Sequence, residues 1–386
     1  MVYRKRLRPW GGPPLAWLNL IHAKVRLLVA VSAISFAVAL IFMQFGLFGA
    51  VLKTATLLYD NLKFDIVLIS SNSLEATFAQ PFSRQRLYQA GGINGVASVM
   101  PFYNSFRQWR NPETKLTRSI LVLGFNPRDK VFEIPEVYEH LTALQRQDTV
   151  LMNRLSRTEF GSREVGIKTE LGDRNIEIGG LFNMINSFRA DGTVIMSDQN
   201  FIRLYHGRSL DDISLGLITV EPGTDVNAVV QRLRKVMPGN IEVLSRREAK
   251  TRDRSYWVTS TSTGFIIGVG ASTAFMVGTV IVYQVLNTDV TEHLHEYATL
   301  KAAGYSNFRL SIVILQEAII LAILGFIPGF FMTLGLYQVI FAATKLPIAM
   351  TLELGIIVFL LTVIMCCSSG IGALQKVLVA DPADLF

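Results

Sequence analysis

Four long apolar runs stand out from an otherwise mixed pattern. They cover residues 27–52, 264–286, 310–343 and 354–374. Each is long enough to cross the hydrocarbon of a bilayer, which takes roughly 20 helical residues. The first lies between Arg26 and Lys53 and holds a single amide, Gln44. It is too long for the apolar region of a signal peptide, and no small-residue cleavage site follows. It therefore reads as a retained helix. The third is interrupted by Gly325, Pro328 and Gly329. At 1.5 Å per residue it would be about 50 Å long, so one span kinked near Pro328 is expected, with its last turns outside the membrane. The pattern predicts an α-helical membrane protein with four transmembrane helices, one plus three. A large domain, 53–258, is set between the first span and the second.

That domain alternates short strands and helices, and its two edges look alike. FDIVLIS (64–70) reads as a buried strand, 83–90 as a short helix closed by Gly91 and Gly92, and 96–103 as a second strand. Near the end, ISLGLITV (213–220) is a strand and Pro222-Gly223 a turn. Val226, Val229, Val230, Leu233 and Met237 then share one helical face, and 241–244 is another strand. Two β-α-β units of this kind close into one α+β, ferredoxin-like layer with right-handed crossovers, a split β-α-β arrangement. Between them, about 108–208 reads as an inserted subdomain. Its strands are short, for example 119–124 and 193–196, and Asn-Pro, Asp-Gly and Gly-Asp pairs punctuate it. Both ends of the domain feed into spans, so it is expected to move when they move.

Charge adds orientation. Arg4, Lys5, Arg6, Arg8, Lys24 and Arg26 precede the first span with no acid among them, whereas the large domain is close to balance. Basic residues beside a span mark its cytoplasmic side, and long loops cross the membrane regardless of their charge. Residues 1–26, the loop 287–309 and the tail 375–386 are thus expected in the cytoplasm, and 53–258 in the periplasm. Trp17 and Trp257 fall near span starts, where interfacial aromatic belts lie. Overall the chain is 50% hydrophobic and only 17% charged, with net charge +7. These values exclude a disordered chain, a disulfide scaffold and a collagen-like repeat. The basic cluster reads as a topology signal, not as a nucleic-acid site. Cys366 and Cys367 lie together in an apolar run, a poor place for thiolate chemistry.

No active site is visible. The sequence has no GxxxxGK[ST], HExxH, GxSxG or CxxC. His293, His295 and Glu296 are close in sequence, but residues two apart do not share a helical face, so a solvated helix is the better reading than a metal site. Neither a catalytic residue nor a cofactor or metal bound by this chain is expected. Glu317 is the clear intramembrane acid, and such groups are functional candidates because isolated charge in hydrocarbon is costly. Snorkelling to the interface, or a hydrogen bond between helices, is the plainer alternative. GFIIG (Gly264, Gly268) and GFIPG (Gly325, Gly329) are small-xxx-small patterns that permit close helix approach, within the chain or between two copies.

In the loop after the second span, 289–303 reads as an amphipathic helix with Val290, Leu294 and Tyr297 in a stripe, Leu300 beside it and Gly304 at its C-terminal end. Such a helix suits contact with a partner, or lies on lipid headgroups. The run EYATLKAAGYSNFRLSIVILQEAIILAILGFIPG (296–329) resembles the signature of FtsX/MacB-type ABC transporter permeases. The closing DPADLF (381–386) resembles the same family's end. PLAWLNLIHAKVRLLVAVSAISFAVALIFMQFG (14–46) is similar to the DevC-type permeases of cyanobacteria, the membrane subunit of exporters related to the heterocyst glycolipid exporter.

The resemblance implies a homodimeric permease in the inner membrane, non-catalytic itself, with ATP and Mg held by a separate ATPase subunit. Coupling to that ATPase would fall on Glu296, Tyr297, Leu300, Lys301, Gly304 and Tyr305. It further implies mechanotransmission instead of passage between the spans, a periplasmic membrane-fusion adaptor protein and a TolC-type outer-membrane channel as partners, and a glycolipid or other amphipathic cargo. The alternatives are an FtsX-like regulator of a periplasmic cell-wall hydrolase and a lipoprotein-releasing permease. An ion-coupled transporter built around Glu317 fits poorly, because four spans without an inverted repeat are unlike that class.

Overall fold

The computed structural model describes residues 24–292, 299, 306–344 and 346–379. The chain divides into two compact units. One comprises Met1–Leu47, Ile266–Val339 and Ala349–Phe386, and the other Phe48–Phe265 and Ile340–Ile348.

In chain order the helices and strands begin with α1 (Lys24–Ala55), α2 (Leu57–Asp60) and β1 (Ile66–Ser70), then β2 (Phe82–Ser83), α3 (Gln85–Gly91), β3 (Val96–Arg110) and β4 (Thr117–Phe125). There follow α4 (Pro135–Glu139), α5 (Leu141–Leu144), β5 (Thr149–Asn153), β6 (Lys168–Leu171), β7 (Arg174–Phe182), β8 (Thr193–Ser197) and α6 (Asp198–Leu204). The domain ends with β9 (Asp212–Ile213), β10 (Leu215–Val220), α7 (Val226–Val236), β11 (Ile241–Ser245) and α8 (Arg246–Thr259). Three long helices complete the described chain: α9 (Ser262–Glu292), α10 (Asn307–Thr344) and α11 (Leu352–Val379).

The large domain is built on a nine-stranded mixed sheet in the order β11-β1-β10-β3-β4-β8-β5-β7-β6. Each of its first four strands is antiparallel to its neighbours, and α3 and α7 make the two crossovers. This is the ferredoxin-like layer that the paired β-α-β edges predict. The intervening residues, about 108–208, are inserted between the two β-α-β units, and their strands join the same sheet. β3 runs without a break through position 108 to Arg110 and pairs with β4 along its second half. The added strands therefore extend the same sheet. β4 and β8 run parallel, as do β5 and β7. β6 returns to β3 at Trp109↔Leu171, so this half curls back on itself. The Trp109 ring is fully buried, and its indole N–H donates to the Phe160 carbonyl at 2.9 Å.

Alternation along the central strands feeds two cores. Ile66, Leu68, Val122, Met152 and Ile218 join Val229, Val230 and Leu233 of α7 on one side. Val67, Ile69, Leu123, Leu151 and Leu217 join Ala249 of α8 and Val137 of α4 on the other. Every residue of β1 is buried, as a central strand covered on both faces requires.

Among the described residues, four helices are long and apolar enough to cross a membrane: Leu27–Ala55, Ser262–Glu292, Ser311–Thr344 and Leu352–Leu374. In the unit that they dominate, Ile34, Val38, Ile41 and Phe42 of α1 pack with Val282, Ile314, Leu321 and Met365. α9 continues through Asp289 to Glu292, so the expected amphipathic segment does not begin as a separate helix at 289. α10 runs on through Pro328, which has no N–H for the Leu324 carbonyl. One residue on, the Ser35 hydroxyl of α1 lies 2.9 Å from the Gly325 carbonyl and 2.6 Å from the Val31 carbonyl of its own helix.

Candidate functional site at the base of the large domain

α8 is where sequence and fold concentrate charge. Ser245 caps it: the hydroxyl accepts from the Glu248 N–H at 3.3 Å, while the Glu248 carboxylate accepts from the Ser245 N–H at 2.8 Å. Glu248 also pairs with Arg234 of α7 at 3.0 Å. Together these contacts hold the Glu248 carboxyl below its ordinary range against the opposing effect of partial burial. Ala249, Asp253 and Trp257 recur every fourth residue and form the buried stripe of a helix that is otherwise strongly polar.

Each end of that stripe meets another segment. At the top, the Arg246 N–H donates to the Asp65 carbonyl at 2.9 Å, and Lys250 pairs with Asp60. Lower down, Asp253 is fully buried and accepts from the Ala76 N–H at 2.9 Å. Arg252 pairs with Asp253 at 3.3 Å and with Glu242 at 2.9 Å, and it also donates to the Ser73 carbonyl. The Trp257 indole N–H donates to Glu75 at 2.7 Å. The other Glu75 oxygen faces Arg189 at 3.1 Å. The Arg189 guanidinium lies 4.7 Å over the Trp257 ring. Trp257 packs in turn on Val51 and Ala55, in the last turns of α1.

Burial pushes the Asp253 carboxyl up to about 7, with Ala76 N–H and Arg252 pulling the other way and Glu75 adding to the rise. Burial also raises Glu75, opposed by Arg189 and Trp257. Tyr59, fully buried beside this cluster, is held well above the usual phenol range, first by burial and then by Asp253. Two buried acids and two arginines therefore cross-link residues 73–76, Arg189 and 252–257. Charge-assisted hydrogen bonds of this kind are the strong ones, and breaking a buried pair on one side costs several kcal/mol. The arrangement is a clamp that fixes α8 to the sheet.

The segment carrying Arg189 is itself held. Asn153, fully buried, donates to the Met184 carbonyl at 2.7 Å and accepts from the Met184 and Leu155 N–H groups at 3.0 and 3.1 Å. Asp191 pairs with Arg118 and, at 3.4 Å, with Arg157. Sequence reasoning named Trp257 as interfacial but missed Glu75, Asn153, Arg189 and Asp253. Their partners are distant in sequence, and no local spacing marks them.

The residues singled out earlier are dispersed. Glu296, Tyr297, Leu300, Lys301, Gly304 and Tyr305 lie outside the described residues, as do His293 and His295. Glu317 is fully buried on the same α10 stripe as Ile314, Ala318 and Leu321, so it faces into its unit and does not snorkel. Gly325 and Gly329 lie against α1: a Cβ at 329 would stand 2.8 Å from the Ser35 carbonyl oxygen, and one at 325 would run into Ile34. Gly264 and Gly268 do not pair with another helix in this way. Gly264 sits at the joint between α8 and α9, where a Cβ would stand 2.5 Å from the Val258 carbonyl oxygen, and Gly268 has open space beside it. Cys366 is buried and Cys367 partly so. Among the described residues, no group of three His, Cys, Asp or Glu side chains is placed to hold a metal ion.

The fold and the clamp define a four-span membrane protein whose extramembrane α+β domain is set between its first span and the other three. Two family models match it. The MacB-like periplasmic core domain covers residues 27–236, and the FtsX-like permease C-terminal model covers 261–382. The chain belongs to this family of MacB-like and FtsX-like permeases.

Among solved structures, the periplasmic region of MacB from Actinobacillus actinomycetemcomitans is 11% identical, with TM-score 0.36, over 49% of this chain and 92% of that one. The extracellular domain of the noncanonic ABC-type transporter YknZ from Gram-positive bacteria is 12% identical, with TM-score 0.33, over 47% and 98%. A domain of a putative permease protein from Porphyromonas gingivalis is 16% identical, with TM-score 0.30, over 49% and 89%. No curated protein matches the sequence.

Proposed function

We propose that this chain is the membrane subunit of an ABC-type exporter that works by mechanotransmission. ATP and Mg are held by a separate ATPase subunit, and this chain is not itself an enzyme. The observation that carries the reading is the order of parts: one span, a MacB-like domain, then an FtsX-like block of three spans, together covering most of the chain. The ATPase docks on the loop 287–309 through Glu296, Tyr297, Leu300, Lys301, Gly304 and Tyr305. Two copies form the working unit, with both termini in the cytoplasm and the large domain in the periplasm. There the domain engages an adaptor protein and, through it, a TolC-type channel. The N-terminal segment 14–46 supports the DevC-type branch and hence a glycolipid or similar amphipathic cargo. The clamp on α8 supports the mechanical part. A helix tied to the sheet by buried ion pairs transmits a displacement of its end, whereas a flexible linker would absorb it.

The test is co-purification of the full chain with its ATPase and adaptor, followed by charge reversal at Glu296→Lys and Lys301→Glu. Loss of ATPase recruitment and of export, with the permease still folded in the membrane, is expected. Unchanged recruitment and export would overturn the docking assignment. Recovery of a cell-wall hydrolase without an adaptor would replace the exporter with the FtsX-like regulatory reading.

A further inference from the structure

The large domain exposes apolar side chains around Trp257 that neither core accounts for. Leu74 is 62% exposed, Phe78 44% and Phe188 44%. Phe78 and Phe188 gather about Trp257, and Leu74 directly precedes Glu75, which accepts from the Trp257 indole N–H. Phe188 meets the Trp257 ring edge-on, with centroids 5.9 Å apart, and the Arg189 guanidinium that caps Trp257 lies 5.2 Å over Phe78. Isolated exposed leucines are ordinary, but a cluster of this kind marks a contact surface.

Its height relative to the bilayer follows from the chain. Counting about 20 helical residues, roughly 30 Å, from Leu27 places the far edge of the hydrocarbon near Leu47. Val51 then stands about 6 Å beyond that edge, inside a headgroup layer some 5–8 Å deep. Trp257 packs on Val51 and Ala55, and the second span begins shortly after it, at Ser262. The Phe188 ring is one contact from Trp257 and the Phe78 ring two, through Arg189. The composition is also that of an interface: aromatic rings, each with an apolar body, beside an arginine. Arg189 is already paired with Glu75, so its charge is largely answered within the protein.

We propose that the 74–78 and 185–189 loops rest in the lipid headgroup layer on the large domain's side of the bilayer, with Leu74, Phe78 and Phe188 inserted among the lipids around Trp257. The occupant is the bilayer surface itself and requires no anionic lipid. The contact gives the domain's base a support beside the clamp, so α8 is held by protein on one side and by lipid on the other.

Hydroxyl-radical footprinting of the unaltered full chain, one copy per phosphatidylcholine nanodisc, tests this. Rates are normalised to the denatured chain. Phe78 and Phe188 are expected to be oxidised several-fold more slowly than Tyr88, which is 56% exposed on α3. Rates equal to that of Tyr88 would overturn the proposal. So would protection that appears only with two copies per disc, which would assign the surface to a second copy of the chain. A second measurement uses nitroxide labels at Leu74→Cys and Phe188→Cys in a Cys366→Ala, Cys367→Ala background, with Glu221→Cys as reference. Residue 221 follows β10, which is antiparallel to β1, so it lies at the opposite end of the sheet from the 71–79 loop. Collision with oxygen is expected to exceed collision with a water-soluble nickel chelate at 74 and 188, and the reverse at 221. The water-like pattern at all three would refute the contact.

Discussion

Replacing Trp257 with Phe isolates the hydrogen bond at the centre of the clamp. The ring body is kept, so packing on Val51 and Ala55 is largely preserved, and the indole N–H that reaches Glu75 at 2.7 Å is removed. Glu75 has only 3% of its side chain exposed, so water cannot substitute for the lost donor. A hydrogen bond to a charged group contributes about 1.5–3 kcal/mol. The weaker cation–π face that Phe offers Arg189 adds roughly 0.5 kcal/mol. The expected loss is therefore about 2–3.5 kcal/mol, which distinguishes it from the few tenths typical of a surface change. The assay is urea unfolding of the purified chain in lipid nanodiscs, run on Trp257→Phe, Glu75→Gln and the double variant. A coupling energy of about 1 kcal/mol is expected, because Trp257→Phe removes the bond that Glu75→Gln strips of its charge. Strictly additive effects would show that Glu75 and Trp257 do not act on each other, and the clamp would have to be abandoned.

Three further outcomes follow from the geometry. Gly329→Ala places a Cβ against the Ser35 backbone and is expected to lower stability by about 1–3 kcal/mol, while Gly335→Ala, with nothing within 4 Å, is neutral or slightly stabilising; thermal unfolding in lipid compares the two. Asp253 is raised to about 7 by burial, so the folded chain binds this proton more tightly than the unfolded one, whose carboxyl titrates near 4. Its stabilising contribution is complete below pH about 4 and is lost as pH rises through about 7, so between pH 5 and 8 the wild-type unfolding midpoint falls while that of Asp253→Asn is flatter; parallel profiles would refute this. Asn153→Ala removes the two bonds to the Met184 backbone that hold the start of the Arg189 segment, and amide exchange at residues 184–190 is expected to rise at least tenfold, for a loss of about 1.4 kcal/mol or more.

The four spans and the ferredoxin-like layer were legible because each rests on local periodicity. Val226, Val229, Val230 and Leu233 mark α7 at helical spacing, and β1 is apolar from Ile66 to Ile69 because both faces are covered. The extent of β3 was not legible. Pro101 and then Asn104, Ser105, Arg107 and Gln108 interrupt its apolar pattern, which suggests an end near 103. Pairing with β4 from Phe102↔Phe125 to Arg110↔Thr117 is what sustains the strand. That is a long-range interaction, and a window on the sequence cannot see it. The clamp was hidden for the same reason. Glu75 and Asp253 look like surface acids until the fold brings Trp257, Arg189 and Arg252 against them. GFIIG shows the limit of a spacing motif. Gly325 and Gly329 meet a helix, whereas Gly264 is small because the chain turns there.

The joint at Gly264 explains why a clamp is needed on one side of it. Only Ser260 and Thr261 separate α8 from α9, and both are tied back: the Ser260 N–H donates to the Tyr256 carbonyl at 2.9 Å and the Thr261 hydroxyl to the Trp257 carbonyl at 2.8 Å. The chain therefore bends without a flexible loop, and Gly264 lets the first turn of α9 approach the Val258 carbonyl. Any displacement of that turn acts first on Trp257 and Val258. If α8 were held only by exposed ion pairs, worth about 0–1 kcal/mol each, such a push would fray its last turn and go no further. The pairs here are buried at Glu75 and Asp253 instead, and they end on the loop leaving β1, a strand at the centre of the ferredoxin-like half of the sheet. On the mechanotransmitting reading proposed above, movement at the joint would reach the sheet through these pairs.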